Sequence, residues 1–224
     1  MRYFPIQLDI RGRKVLVVGG GAVAMRKARA LARSGARVVA VSPEFAAGFR
    51  GLAGVVLRRR RYRRADVRDA VLAISATNDP KVNERVWLDA AAANVPVNVV
   101  DDPARCTFIV PAVARRGRLI VAISTGGSSP ALAAELRRRI ENDLLPLFSR
   151  HAALLATFRR RLRALAALPA KERMAISRRM AGPAVRRALA EGGPAAGRRM
   201  LEAMLAEARR KIAPAQTPSR RTRT

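Results

Sequence analysis

From Lys14 to Ser124 the apolar residues fall into short unbroken runs, each closed by glycine or polar residues. Val15–Val18 is the first, and its β-branched continuity predicts a parallel strand covered on both faces. Three glycines, Gly19, Gly20 and Gly21, end it. From Ala22 to Arg33 the residues Val23, Ala24, Ala28, Leu31 and Ala32 recur at helical spacing, up to a Ser34-Gly35 stop signal. Arg37–Val41 predicts a second strand, completing a βαβ unit of about thirty residues.

The same pattern predicts strands at Val55–Leu57, Val71–Ser75 and Val95–Val100, with a helix opened by Pro80 that carries Val82, Val86, Leu88 and Ala91. Five such βα steps predict a doubly wound α/β sheet, in which ligands bind at the carboxyl ends of the strands. Gly19–Gly21, Ser42–Glu44, Thr77-Asn78 and Asp101 all fall at those ends. Before the first strand, Phe4, Ile6 and Leu8 alternate, predicting an added edge strand or a segment packed under the sheet. After Pro103 the rhythm changes. Thr107–Val113 and Leu119–Ser124 predict two strands separated by Arg115-Arg116-Gly117-Arg118, followed by a glycine-rich turn and a helix from Ala131 to Leu144. The stretch from about Ser149 to Ala208 predicts helices rich in Arg and Ala. Residues from Pro214 onward are polar, basic and proline-containing, and disorder is expected there.

Composition narrows the class. The chain has 224 residues, half of them apolar, enough for one dinucleotide-sized domain plus a smaller one. A single cysteine, Cys106, excludes an internal disulfide framework, and there is neither a signal-like apolar core near the start nor a run of eighteen apolar residues. A cytoplasmic protein with no membrane association is expected. The net charge of +29 is nearly all arginine, in a chain also loaded with alanine. It implies a solvated basic surface, a negatively charged partner, or both. With only six phenylalanines, two tyrosines and one tryptophan, and no RNA-binding signature of aromatics interleaved with basic residues, tight sequence-specific nucleic-acid binding is not expected. The run Arg58–Arg61 with Arg63 and Arg64 reads as a solvated face. His151 and Cys106, the only residues of their kinds, do not make a stable metal site and read as structural.

Candidate chemistry follows from the turns. Gly19–Gly21 bring bare backbone to the start of a helix whose unpaired N–H groups and dipole favour an anion such as a pyrophosphate. Glu44, a little over twenty residues on, stands near where dinucleotide folds place an acid on the ribose 2′-OH, selecting NAD over NADP; alternatively it begins a short helix. Ser124 to Pro130 (STGGSSP) makes either a second preformed anion site or an ordinary loop and helix cap.

The stretches PIQLDIRGRKVLVVGGGAVAMRKARALARSGARVVAVSPE, SATND with PKVNERV, NVVDDP and FIVPAVARRGRLIVAISTGGSSPALAAELRRRIE, in that order and spacing, resemble the siroheme synthase N-terminal family of precorrin-2 dehydrogenases and sirohydrochlorin ferrochelatases. The likeness runs from Pro5 to about Pro146 and more weakly through the helical tail. It implies a Rossmann-type doubly wound parallel sheet, followed by a small α+β dimerisation segment and a C-terminal helical region. The implied boundaries are 1–112 for the NAD-binding domain, 113–148 for the dimerisation segment, 149–212 for the helical domain and 213–224 for a disordered basic tail.

The resemblance also implies a reaction. In that family NAD takes a hydride from precorrin-2 to give sirohydrochlorin, and some members then insert Fe²⁺; the alternative is a dinucleotide-sensing or tetrapyrrole-binding module without turnover, for which the same glycines would serve. The eight carboxylates of the tetrapyrrole would give the basic surface a purpose. The family's catalytic aspartate matches Asp101, a carboxylate at the end of strand five able to accept a proton as the hydride leaves; the alternative for Asp101 is a turn cap before Pro103. Asp102, pointing to the opposite side in an extended strand, is expected to be structural or a secondary electrostatic influence. The implied cofactor contacts are Gly19, Gly21, Ala22, Val23, Pro43, Glu44 and Thr77, with Ala24 at the third fingerprint position and Ala22 replacing a more polar residue. Ser124, Thr125, Gly126, Gly127 and Ser128 are the implied substrate contacts, near a partner's site in a swapped homodimer. Thr125 matches a serine phosphorylated in some members, and no modification is expected here. With no methyltransferase module after Thr224, a standalone form is expected, possessing no resident metal.

Overall fold

The structure, a computed structural model, describes residues 3–212. The chain divides after Val110 into two compact units. In the first, β1 (Lys14–Val18), α1 (Ala22–Arg33), β2 (Arg37–Ser42), β3 (Val55–Arg59), β4 (Ala70–Ser75), α2 (Pro80–Ala92) and β5 (Val97–Val99) follow in that order. The strands form one parallel sheet in the order β3-β2-β1-β4-β5, the arrangement of a Rossmann-type half with its switch point between β1 and β4. Period two sorts the strand residues into two cores. Val15, Val17, Val38, Ala40, Leu72 and Ile74 pack with Ala24 and Ala28 of α1, while Leu16, Val18, Val41, Ala73, Val97 and Val99 pack with Val86 and Ala90 of α2. Each buried Val or Leu contributes about 1.5–3 kcal/mol, which makes the sheet a rigid platform for the loops at its carboxyl edge.

Several sequence expectations change. The sheet carries two crossover helices rather than a helix after every strand. The β2–β3 and β3–β4 links contain only one-turn 3₁₀ helices, Ala47–Phe49 and Arg64–Val67. Gly51 and Gly54 take left-handed φ of 74° and 76° in the first link, and the arginine run in the second offers no apolar stripe to bury. The segment before β1 is not a strand: Phe4, Ile6 and Leu8 are exposed, and Pro5 cannot donate to a ladder. β5 is shorter than expected because Pro96 has no N–H to give. Thr107 does not begin a strand but ties back to β5, its N–H donating to the Val97 carbonyl at 2.9 Å and its hydroxyl accepting from Val97 N at 2.7 Å.

In the second unit β6 (Ala112–Arg116) and β7 (Leu119–Ile123) form an antiparallel hairpin. Arg115 and Arg116, expected in the connecting loop, are ladder residues; Arg116 pairs with Leu119, and Gly117 at φ 56° makes the two-residue turn. Helix α3 (Pro130–Arg139) passes through a π-helical turn, Ile140–Leu144, into α4 (Leu145–Arg163), and α5 (Ala170–Met180) and α6 (Pro183–Arg210) follow. The helix is therefore continuous across the expected 148/149 boundary, and Pro146, which has no N–H to donate, lies just after the π-helical turn in the first turn of α4. Phe158, Leu162, Leu168, Ile176, Met180, Leu189, Leu201 and Leu205 form the helical core. Helix α6 kinks at Gly193 (φ 67°) before Pro194. The basic tail expected from residue 213 lies outside the described residues.

Candidate functional site: a cleft at the carboxyl edge of the sheet

A cleft of about 850 Å³ opens where β1, β2 and β4 end. Its floor is Gly19–Gly21, one wall runs from Ser42 to Ala46, and the other is built from Ala76–Asp79 with Lys81, Val82 and Arg85 of α2; Arg61 and Tyr62 complete the rim. Of the expected cofactor residues, Gly19, Gly21, Pro43, Glu44 and Thr77 are brought together here. Ala22 and Val23 are the first residues of α1, immediately behind the cradle, and their side chains do not line the cleft.

The three glycines have three different reasons to be glycine. Gly19 sits at φ 126°, and a Cβ there would overlap the Ala76 carbonyl oxygen at the end of β4. Gly20, not singled out as a contact, would drive a Cβ into the Glu44 carbonyl oxygen and to 2.7 Å from Ser42 Oγ; its own carbonyl accepts from Ala46 N at 2.8 Å, fixing the far wall. Gly21 is in ordinary extended geometry (φ −79°, ψ −176°) and a Cβ would meet nothing within 4 Å. Nothing in the chain itself requires glycine at Gly21. It caps α1, no side chain caps that helix end, and the first turn contains no acid. An uncapped helix N-terminus behind a bare, open backbone is a cradle for an anionic group, and these residues fit the diphosphate of a dinucleotide.

Glu44 is exposed on the cleft wall. The short helix after β2 starts at Ala47 with Ala46 as its cap, so Glu44 does not serve as the helix start. Thr77 is tied into the β4–α2 loop: its hydroxyl donates to Asn83 Oδ1 at 2.9 Å, Asn83 Nδ2 donates back to the Thr77 carbonyl at 3.1 Å, and Ser75 Oγ donates to the same Asn83 oxygen at 2.7 Å. Its side chain therefore shapes the wall. Asn83 was not foreseen, and the only signal for it was a polar residue one turn into an otherwise apolar helix face. Asp79 caps α2, accepting from Lys81 N at 2.9 Å and Val82 N at 3.3 Å.

Asp101 lies outside the cleft lining, in the turn after β5 at the same edge of the sheet. It takes a left-handed φ of 62°. The cap before Pro103 is its neighbour: Asp102 accepts from Arg105 N at 3.3 Å and from Arg105 Nη1 at 2.5 Å, which hold its carboxyl below the usual range. Cys106 supports the turn from beneath, its buried sulfur receiving Val99 N at 3.2 Å and Asn98 Nδ2 at 3.3 Å. Among the described residues no hydrogen bond or ion pair engages the exposed Asp101 carboxylate.

The arginine run is only partly the solvated face the sequence suggested. Arg60 bonds buried Asp66 at 2.6 and 2.8 Å, Arg58 adds a contact at 3.1 Å and Arg63 N donates at 2.9 Å. Burial raises the Asp66 pKa, but these donors outweigh it and the net shift is downward. The clamp holds the link that carries Arg61 and Tyr62 to the rim.

In the second unit Ser124–Ser128 form a closed turn. Ser124 Oγ accepts from Gly126 N at 3.2 Å, Thr125 Oγ1 accepts from Ser129 N at 3.1 Å, and Gly126 and Gly127 take φ of 65° and 93°. The cap of α3 is Ser129, whose hydroxyl accepts from Leu132 N at 3.1 Å. His151 is buried, with Nε2 2.8 Å from the Met180 carbonyl. Among the described residues no three His, Cys, Asp or Glu side chains gather as a metal site, and no helix is long and apolar enough to cross a membrane.

Residues 6–112 match a family model described as "Putative NAD(P)-binding", and residues 116–143 match one described as "Sirohaem biosynthesis protein central". A siroheme synthase of Pseudomonas putida (strain W619) is 42% identical over 209 residues, covering 92% of this chain and 45% of the relative. One from Nitrosomonas eutropha is 43% identical over 167 residues, covering 73% and 35%. The chain thus spans a little under half the length of these curated relatives. Among solved structures, SirC, a precorrin-2 dehydrogenase, superposes with a TM-score of 0.73 at 24% identity, over 90% of this chain and all of that one, a likeness of fold.

Proposed function

Because this chain belongs to the siroheme synthase family, we propose that it oxidises precorrin-2 to sirohydrochlorin with NAD as the acceptor. The observation that carries the reading is the open cradle at Gly21 joined in one cleft to the free acid Glu44, with the uncommitted carboxylate of Asp101 at the same edge of the sheet.

NAD, when bound, supplies the hydride acceptor. The residues of the chain do the rest. The bare backbone of Gly19–Gly21 and the first N–H groups of α1 hold the diphosphate. Glu44 accepts from the adenosine ribose hydroxyls and repels a 2′-phosphate, which favours NAD over NADP. Pro43 and the Thr77–Asn83 network keep the two walls apart. Asp101 takes the proton that precorrin-2 loses as its hydride departs, so that two hydrogens leave as H⁻ and H⁺ and the macrocycle gains a double bond. Removing pyrrole N–H protons while Fe²⁺ enters sirohydrochlorin is a second use for the same base, with iron as a substrate.

Homodimerisation through the second unit belongs to the same reading. A two-stranded hairpin is marginal alone and has open edges, and Val113, Ile120, Leu132 and Leu136 leave apolar surface exposed on and beside it. The Ser124–Ser128 turn, presented between β7 and α3, is the substrate-facing element of that assembly. A cytoplasmic location completes the reading, since the reaction consumes NAD.

The test is anaerobic incubation of the chain with precorrin-2 and NAD, followed at the NADH band and by the sirohydrochlorin spectrum. Asp101→Asn preserves shape and tolerates the left-handed backbone, so it is expected to bind NAD normally while turnover falls by about 10²–10⁴. A wild-type chain that binds NAD and never oxidises precorrin-2 refutes the reading. Adding Fe²⁺ or Co²⁺ to sirohydrochlorin tests chelation separately.

A further inference from the structure

Lys27 does not line the nucleotide cleft, and among the described residues it forms no ion pair with an acid. It projects from α1, one turn past the glycine cradle. The helix directs its sides unequally: Ala24 and Ala28 face the sheet, and Met25 reaches toward Gly48 beyond β2. At 100° per residue Lys27 and Met25 fall on opposite flanks of the Ala24–Ala28 stripe, so Lys27 faces the β4–β5 side. That is the side on which the chain turns at Asp101.

The charges agree with this geometry. Burial, then the adjacent Arg26, lower the Lys27 pKa, while Asp101 and Cys106, both on the segment after β5, act to raise it. These are the charged and titratable groups that bear on Lys27, from its own helix and from the β5 segment. Asp102, the other carboxylate of that turn, is occupied by Arg105. A half-buried ammonium without a salt-bridge partner thus stands in the field of a carboxylate that itself has none.

This arrangement answers a difficulty in the proposed reaction. Precorrin-2 carries eight carboxylates, and its oxidation requires a negatively charged base to approach the ring among them. Two unit charges 4 Å apart interact by about 1 kcal/mol in water and about 4 kcal/mol near a protein surface, so an acid arm beside Asp101 would be repelled unless a cation stood between them. Lysine is also a partly desolvated point charge here, which strengthens its attraction for an arriving carboxylate.

We propose that Lys27 is the substrate anchor beside the catalytic carboxylate: its ammonium binds the tetrapyrrole acid arm nearest Asp101, setting the ring against the base and offsetting their repulsion. The proposal rests on the precorrin-2 reading above and adds to it a residue on the helix that also carries the nucleotide cradle. Lys27 thereby couples the positions of oxidant and substrate through α1.

Three proteins test it: wild type, Lys27→Met and Lys27→Arg. Titration with sirohydrochlorin followed by its absorbance gives affinity without turnover, and initial rates with precorrin-2 and NAD give KM and kcat. Loss of one charge-assisted contact is expected to weaken sirohydrochlorin binding and raise the precorrin-2 KM by about tenfold to a hundredfold in Lys27→Met. Lys27→Arg should recover most of that loss, and NAD affinity and melting temperature should stay at wild-type values in both. In the wild type, sirohydrochlorin should slow reductive methylation of the Lys27 amine, read by peptide mass spectrometry. Lys27→Met binding sirohydrochlorin as tightly as wild type overturns the proposal, and so does a Lys27→Met protein that loses NAD binding or thermal stability in step with substrate binding. A wild type inert toward both tetrapyrroles overturns the precorrin-2 reading and the anchor with it, whereas an active wild type matched by an equally active Lys27→Met overturns the anchor alone.

Discussion

The nucleotide cradle makes its sharpest prediction at Gly21, because alanine there should separate binding from folding. A Cβ at Gly21 meets nothing within 4 Å, and φ −79°, ψ −176° is ordinary backbone for alanine. Two small terms act on stability. Alanine is a poorer helix cap than glycine, while replacing glycine lowers the entropy of the unfolded chain by about 0.4–1 kcal/mol. They oppose each other, leaving a net change of about 0.5 kcal/mol or less, or roughly 2 °C in melting temperature for a chain of this size. Binding should behave differently. The new methyl occupies the space a diphosphate needs to reach the first N–H groups of α1, and losing two charge-assisted hydrogen bonds of about 1.5–3 kcal/mol each weakens NAD by roughly a hundredfold or more.

Gly20→Ala is the control with the opposite signature. Its Cβ overlaps the Glu44 carbonyl, a backbone atom that cannot swing aside, and threatens the Ala46 N to Gly20 O bond. Overpacking of that kind costs about 3 kcal/mol or more, and the melting temperature should fall well below that of Gly21→Ala. Calorimetric titration with NAD and thermal melts of the three proteins decide the matter. Gly21→Ala binding NAD at wild-type affinity, or melting as low as Gly20→Ala, would refute the assignment of Gly21 to the ligand.

Other substitutions probe other parts of the chain. Asp66→Asn removes a buried charge clamped by Arg58 and Arg60, and should cost about 3 kcal/mol at pH 7 by chemical denaturation. Because the Asp66 pKa is lowered in the fold, its stabilisation is complete above the unfolded carboxylate value of about 3.9 and fades as pH falls through the lower folded value. The gap between wild type and Asp66→Asn should therefore close only below about pH 4; a gap that closes between pH 5 and 7 contradicts the clamp. Glu44→Lys should raise NADP affinity relative to NAD by about tenfold or more, since it replaces repulsion of a 2′-phosphate by attraction; an unchanged ratio removes Glu44 from the ribose site. Ile120→Arg, at an exposed hairpin position, should yield a monomer by light scattering without loss of helical signal, and an unaltered mass would move the self-association surface elsewhere.

The sequence made some parts of this architecture plain because local pattern and burial coincide there. Val15–Val18 lies under helices on both faces, so its continuous β-branched run and its burial are one fact, and α1 ends where Ser34-Gly35 says it should. The β2–β3 and β3–β4 links were misread because a count of βα steps assumes a helix wherever there is room, whereas glycines and arginines supply no stripe to bury. The pairing of Arg58 and Arg60 with Asp66 was hidden for a related reason: a charge run looks solvated until the fold places an acid beneath it. The three glycines were legible as a group but not as individuals. What separates them is the Ala76 carbonyl behind Gly19, the Glu44 carbonyl behind Gly20 and empty space beside Gly21, and those neighbours come from other strands.

The two aspartates after β5 differ for a reason that alternation along a strand does not supply. Alternation along an extended strand suggested that Asp101 and Asp102 point to opposite sides, yet β5 ends at Val99 and both residues lie in the turn beyond it. What separates them is the left-handed backbone of Asp101 and the Arg105 contacts of Asp102. Asp102 accounts for itself by capping the next turn. Asp101 does not, since glycine would make the same reversal at lower cost and, among the described residues, its carboxylate returns no hydrogen bond. Under the proposed reaction the exposed Asp101 carboxylate is left available as the base. Stability and activity should consequently part company here: Asp102→Ala should lower the melting temperature and leave NADH formation near the wild-type rate, while Asp101→Asn should cut NADH formation by about 10²–10⁴ and leave the melt unmoved. The reverse pattern would return Asp101 to the scaffold.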